Sequence, residues 1–406
     1  MIGTKHTGGS MKIIQVIGAL IIMPWLHAQD SQLQKLFFHT TGQSQAVGQN
    51  KTLNKNALSL ELSKLVFYFS QEPIITLLPN YKNNRLDGQI TATFFFPKAE
   101  ISSSEARQMV AHCNQQKESF YTMHVAPITK PINGIQLVIT YDPKQIAFEH
   151  DSFEAIGGQK GIVFTFYDKN LLERLKLQTN TVLQTASATL PTVVIDCGHG
   201  GNDTGACGFF NIVEKELTQT IGHQLAHYVH ERGWNVVLTR HADEYLALDE
   251  RTSCANKTKA DFLISLHANH ASNEQASGIE TFCFDRSLLK PLSAERVSQE
   301  LLIKKMSDNL SRLSNLLATS IHQELLNAAR TQREVIDRKV KRAVPQLLLG
   351  STIPAILIEL GFVSNKQEAQ FLVDPAYQQA LVKGIYQGML TYLKKQSLIT
   401  SQPHAG

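Results

Sequence analysis

Two histidines and two glutamates in this chain stand where an apolar run ends or a helical run begins: His199, Glu214, His267 and Glu359. Two imidazoles and one carboxylate are an established ligand set for a hydrolytic zinc, which takes three protein ligands and keeps a fourth position for water. A second carboxylate beside such a site can take a proton from the water and return it to a leaving amine. His199, Glu214 and His267 therefore read as metal ligands for one zinc per chain, with Glu359 as the catalytic base.

Each residue alone has a plainer use. His267 could be a hydrogen-bonded core histidine, Glu214 a first-turn carboxylate favoured by the helix dipole, and Glu359 the partner of a buried arginine. His199 resists this, because it lies in Cys197-Gly-His-Gly-Gly-Asn-Asp-Thr-Gly205, and glycines so dense let a backbone turn sharply and approach a ligand. The spaced pair His223 and His227, with His230, reads as a helix face in solvent. Five cysteines at irregular spacing make no disulfide framework, and at least one thiol stays free. Cys197 and Cys207 flank the key loop and could lie near the metal.

The elements that must position these side chains alternate between strand and helix, which argues for an α/β domain with a mostly parallel sheet flanked by helices. Val193–Ile195 is a buried strand leading into the loop. A helical stripe runs from Glu214 to Arg232 and Gly233 ends it. Trp234–Thr239, Asp261–Leu266, Gly278–Phe284 and Ala355–Ile358 read as further strands. Leu248–Ala260, about 292–330 and about 375–395 read as helices. Parallel neighbouring strands would bring His199 and His267 to one sheet edge, where ligands bind in open α/β folds.

This domain covers 191–396, with a tail over 397–406. Before it, 57–178 is β-rich, with strand runs such as Lys64–Phe69, Thr91–Phe96, Ile135–Thr140 and Gly161–Phe166 and one helical stretch from Ser102 to Cys113. Residues 29–56 read as a polar lead-in and 179–190 as a charge-free linker. Residues 1–28 read as a signal peptide: Lys5 and Lys12 precede the apolar Ile13–Leu26, and Leu26-His27-Ala28 offers a cleavage site. An uncleaved anchor, or a start at Met11, are the alternatives. With the signal removed the chain is exported, to periplasm or cell envelope, with no transmembrane helix. A net charge of +4 over 406 residues gives no case for nucleic acid.

The second half resembles a known family, the zinc-dependent N-acetylmuramoyl-L-alanine amidases (amidase type 3). Val194-Ile-Asp-Cys-Gly-His-Gly-Gly-Asn-Asp-Thr-Gly-Ala206 is similar to its opening motif, Glu214-Lys-Glu-Leu217 to its second, and Ser265-Leu-His-Ala-Asn269 to its third. Pro354-Ala-Ile-Leu-Ile-Glu-Leu-Gly-Phe-Val-Ser-Asn365 is similar to the segment with the catalytic glutamate. Val237–Arg240, Leu248, Arg251 and Ala255-Asn256 match intermediate landmarks, and Cys197 departs from the usual proline or alanine. The resemblance implies hydrolysis of the peptidoglycan amide between N-acetylmuramic acid and L-alanine, for wall remodelling or daughter-cell separation. By it, Thr239, Arg240, Asn269 and Asn365 hold substrate or structure. The β-rich half resembles the AMIN-type modules that hold such enzymes at the envelope. Two other readings stay open: a zinc carboxypeptidase on stem peptides, and a wall-binding protein without turnover. The α/β pattern implies an independent core, so that deleting 29–178 leaves an active domain with weaker attachment.

Residues 285–312 exceed the short connection expected before a helix from about Leu313. Ser293 could cap a helix with Val297, Leu301, Leu302 and Ile303 on one side. The plain reading is a surface helix extending the next. In septal members of the resembled family an insertion here covers the zinc until an activator protein displaces it; Glu295 or Glu300 would then occupy the metal's open position.

Overall fold

The structure is a computed structural model. It describes residues 32–40, 61–69, 75–77, 89–97, 99–101, 107–108, 110–111, 114, 121–129, 133–155, 158–169, 190–258, 260–291 and 300–401. Residues 1–28, read as a signal peptide, nearly all of 179–190, read as a linker, most of 102–113, read as a helix, and the stretch with Ser293 and Glu295 lie outside the described residues.

The first half is built of β1 (Gln32–Thr40), β2 (Glu61–Phe69), β3 (Thr76–Leu77), β4 (Ile90–Pro97), β5 (Glu100–Ile101), β6 (Tyr121–Ile128), β7 (Gly134–Tyr141), β8 (Ile146–Glu154) and β9 (Lys160–Asp168). The polar lead-in is corrected over Gln32–Thr40, which pairs antiparallel with β2. Strands β6 and β8 are also additions to the sequence reading. One sheet runs β8-β9-β2-β1-β5, a second β3-β4-β7-β6. They face each other across Leu65, Phe67, Phe69, Phe94, Phe96, Leu137, Phe164 and Phe166. The ring centroids of Phe94 and Phe164 lie 4.8 Å apart, edge to face.

The second half carries β10 (Thr192–Cys197), α1 (Glu214–His230), β11 (Asn235–Leu238), α2 (Leu248–Thr258), β12 (Phe262–Asn269), β13 (Ile279–Phe284), β14 (Lys290–Pro291), α3 (Glu300–Ala329), β15 (Asp337–Ala343), α4 (Gln346–Leu349), β16 (Ala355–Phe362), α5 (Lys366–Leu372) and α6 (Pro375–Ser401). Its sheet runs β11-β10-β12-β16-β13-β15, parallel throughout except where β13 meets β16. Helices α1, α3 and α6 cover one face through Leu217, Ile221, Leu225, Ile321, Leu325, Leu381 and Ile385. The α/β architecture expected from the alternation is therefore present.

Two details differ from the sequence reading. His267 and Glu359 lie within β12 and β16, in register with each other, rather than past the strand ends. The sheet's far edge, β15, reads Asp-Arg-Lys-Val-Lys-Arg-Ala. Its charge hides it from a search for apolar runs, and charge is how natural sheets protect an edge. Helix α3 lies within the helix expected over about 292–330, and residues 300–312 continue the following helix, as the plain reading has it.

The two halves share a core. The outer face of the first sheet, with Val66, Tyr68, Phe153 and Val163, packs on Ala255, Phe284, Leu347, Leu348 and Leu349 of the second half. Lys64 Nζ donates to Leu349 O at 2.8 Å in a buried contact. Arg286 pairs with Glu149, and β14 adds a short antiparallel strand to β8. Strands β2 and β9 are thus covered on both faces, which is why their sequences read as continuous apolar runs. A second half standing alone would leave Leu347 to Leu349 without this cover.

Candidate metal centre

Strand β10 ends at Cys197 and the chain turns through the glycine loop before α1. His199 sits there with φ +61°, a left-handed conformation costly for a residue with a side chain. Two arginines hold it. Arg251 donates to Asp196 Oδ1 at 2.9 Å, to Cys197 O at 2.7 Å and to His199 O at 2.7 Å. Arg240, fully buried, donates to the carbonyls of Cys197, Gly198, Lys215 and Ala242 and to Gln219 Oε1. Asp196 is itself buried, accepting from Thr239 at 2.6 Å and Ser265 at 2.7 Å. Burial raises its pKa, but Arg251 and the two hydroxyls outweigh that and hold it below the usual carboxylate range. Thr239 and Arg240 are therefore structural in this fold: they shape the loop.

The loop, α1 and β12 bring three side chains together. His199 Nε2 stands 3.2 Å from Glu214 Oε2, and His267 Nδ1 stands 3.0 Å from Glu214 Oε1. Donor atoms of His199, Glu214 and His267 all lie within 4.8 Å of one another. Ligands about 2.0–2.2 Å from a tetrahedral zinc stand roughly 3.3 Å apart, so the spacing fits such an ion. Glu214 is also aimed by the backbone: Ala206 N donates to Oε2 at 2.8 Å and Ala268 N to Oε1 at 3.0 Å. A Cβ at Gly198 would lie 2.5 Å from the His267 ring, and one at Gly205 2.6 Å from Glu214 Oε2. Neither position admits a side chain.

Asp203, which the sequence reading did not single out, accepts from His199 Nδ1 at 2.8 Å. That bond fixes the tautomer and leaves Nε2 free to coordinate. The signal was present, since a carboxylate close after a ligand histidine in a tight loop is a natural orienting partner. The charges agree with a site built for a cation. Burial would lower the His199 pKa, but Glu214 and Asp203 raise it to about 9. Burial is likewise outweighed at Glu214, where both histidines push the carboxyl well down, and at His267, where Glu214 and Glu359 push the imidazole up.

Glu359 lies beside His267 across the β12–β16 pairing, with Glu280 as its neighbour on β13. Its Oε2 is buried without a hydrogen-bond partner. Burial raises its pKa to about 7, with Glu214 and Glu280 adding and His267 opposing. A carboxyl held near neutrality can both take and give a proton. Glu280 is held by Arg338 and Lys341 and accepts from Asn269 Nδ2 at 2.7 Å. Asn365 caps α5, accepting from Gln367 N at 3.1 Å and Glu368 N at 3.0 Å. Both asparagines thus have structural partners.

The remaining candidates stand apart. His223, His227 and His230 are exposed on α1, with His227 pairing with Glu231. The Cys197 thiol is buried against Gly222 of α1, and burial pushes it up to about 12. It is an inert packing group. Cys197, Cys207, Cys254 and Cys283 are all free thiols. No helix among the described residues is long and apolar enough to cross a membrane.

Comparison with known proteins follows the same boundary. The profile of the family described as N-acetylmuramoyl-L-alanine amidase matches residues 193–391. A putative N-acetylmuramoyl-L-alanine amidase of Buchnera aphidicola subsp. Baizongia pistaciae is 30% identical over 214 residues, 50% of this chain and 97% of that relative. The germination-specific N-acetylmuramoyl-L-alanine amidase of Bacillus subtilis is 30% identical over 219 residues, 50% of this chain and 80% of that one. Among solved structures, an N-acetylmuramoyl-L-alanine amidase from Clostridium difficile 630 is 32% identical, with a TM-score of 0.43, covering 51% of this chain and 98% of its own.

Proposed function

The chain belongs to the N-acetylmuramoyl-L-alanine amidase family, and on that premise we propose that it hydrolyses the peptidoglycan amide between N-acetylmuramic acid and L-alanine with one zinc ion held by His199, Glu214 and His267. The observation that carries this reading is the convergence of those three side chains beside a buried, unpartnered Glu359 carboxylate oxygen. When bound, zinc supplies a Lewis acid for the scissile carbonyl and lowers the pKa of water. Glu359 takes the proton of the attacking water and hands it to the departing amine of L-alanine. Asp203 keeps His199 in the coordinating tautomer, and the Ala206 and Ala268 amides hold Glu214 across the site.

The wider setting belongs to the same proposal. Residues 1–28 direct export to the periplasm or envelope, 191–396 are catalytic, and 57–178 are an AMIN-like domain that meets the wall. The role is wall remodelling or daughter-cell separation, with an activator protein as partner at the division site. Mass spectrometry of products from purified peptidoglycan tests the activity. Intact stem peptides with a free L-alanine amine are expected. Loss of terminal D-alanine alone would mean a carboxypeptidase, and unchanged material would mean a binder.

A further inference from the structure

Between the metal group and α1 the chain makes a tight hairpin that the mechanism leaves unused. Cys207 bridges to Val213, Gly208 N donates to Ile212 O at 2.9 Å, and Phe209 N donates to Val363 O at 3.0 Å. At the tip stand Phe210 with φ +60° and Asn211 with φ +56°, consecutive left-handed residues. Asparagine tolerates that conformation. For a bulky phenylalanine it is an outlier that persists only where the surroundings impose it. Packing is no reason for it: Phe209 covers the core, whereas Phe210 is 56% exposed and Asn211 is exposed too. A glycine at 210 would serve the hairpin better.

The place of the tip suggests its use. The hairpin leaves from Ala206, whose amide touches Glu214, and returns at Val213, next to Glu214. Its other flank rests on Val363, just past Glu359 at the exit of β16. The chain from Thr204 to Val213 carries no ionisable carboxylate or cation. A stem peptide presents carboxylates and calls for cationic partners. An N-acetylated sugar is uncharged, with an apolar ring face and amide and hydroxyl edges, and suits an aromatic face beside a side-chain amide.

We propose that Phe210 and Asn211 form the subsite for the glycan strand, the ring stacking on an N-acetylated sugar next to the scissile linkage and the Asn211 amide hydrogen-bonding its edge. This rests on the reading of the chain as a peptidoglycan amidase. The strain at Phe210 is held in the free protein so that the ring is already presented when the strand arrives.

The test uses the full-length, zinc-loaded protein with uncharged strands of N-acetylglucosamine, which carry neither stem peptide nor lactyl carboxylate, as the probe, so that binding is read without turnover. Phe210→Gly should unfold at the same or a higher temperature, because it relieves the left-handed phenylalanine, yet bind the strands about tenfold more weakly. Phe210→Trp should keep the affinity. On intact wall the larger part of the Phe210→Gly loss should appear in KM. Equal strand binding by the parent and Phe210→Gly overturns the subsite, as does a loss confined to a free stem-peptide probe. The two proposals fail separately. A parent that releases stem peptides while Phe210→Gly binds strands normally sinks only the glycan subsite. Strand binding through Phe210 without stem-peptide release sinks only the amidase reading.

Discussion

Both halves of the molecule bury aromatic and branched side chains between layers, yet among the described residues the cluster that could hold a metal lies in the second. Among the described residues of the first half the buried polar side chains are Lys64, Thr93, Asp151 and Thr165. In the second they include Asp196, Glu214, Arg240, Arg251, Ser265, Glu280 and Glu368. The difference follows from strand direction. Antiparallel neighbours such as β2 and β9 end at opposite edges, so loops that follow them are scattered. Parallel β10, β12 and β16 end at one edge, so the loop after β10 and the last residues of the other two meet there. What converges at that edge is held by buried networks instead of by apolar packing.

The largest expected effect lies in the second half. Alanine at His199, Glu214 or His267 should abolish metal binding and activity together, from about one zinc per chain in the parent. Glu359→Gln should keep the metal and lose on the order of 10²- to 10⁴-fold in turnover. Metal analysis beside wall hydrolysis checks both; full zinc in all three alanine variants would remove the ligand assignment.

Next come stability effects that should divide the halves. Phe164→Ala empties the sandwich core and should cost about 3–5 kcal/mol, while the zinc content of the protein that stays folded is unaltered. Arg251→Met leaves Asp196 charged and unpaired in the interior, at a similar cost of about 3–5 kcal/mol. It should also loosen the His199 loop and weaken metal binding. Denaturant unfolding with parallel zinc titration separates the two, and equal loss of zinc affinity in both variants would show that the two halves do not differ in this way.

Deleting 29–178 probes the seam. With Leu347, Leu348 and Leu349 uncovered, each side chain losing burial of about 1.5–3 kcal/mol, the truncated protein should melt well below the parent and self-associate. Light scattering and calorimetry would read this. An equally stable monomer would show that the shared core contributes little.

The smallest effect is in pH dependence. In metal-free protein the His199 pKa is raised to about 9, so its stabilising pairing with Glu214 and Asp203 is complete below the unfolded value of 6.5 and is lost as pH rises through 9. The metal-free melting temperature should fall across that window, and zinc affinity should weaken as pH drops below about 9, because binding must displace the proton. A flat metal-free melting curve from pH 6 to 9 would contradict the coupling.

Several features were legible in the residues themselves. Strand and helix periodicity located β10, α1, β12, β16 and α6, and the glycine loop pointed to His199, because local sterics and burial leave their mark on neighbouring residues. The continuous runs in β2 and β9 also carried the trace of two-sided burial. Other features had no local signature. Strand β15 is charged, so only its partners made it a strand, whereas the Leu36-Phe37-Phe38 run of β1 was masked by the polar residues around it. Arg240 and Arg251 found their roles through contacts with a loop whose course depends on the whole sheet edge. The placing of Glu359 beside His267 was decided by the register of β12 against β16, where a one-residue slip would turn the carboxylate to the opposite face of the sheet.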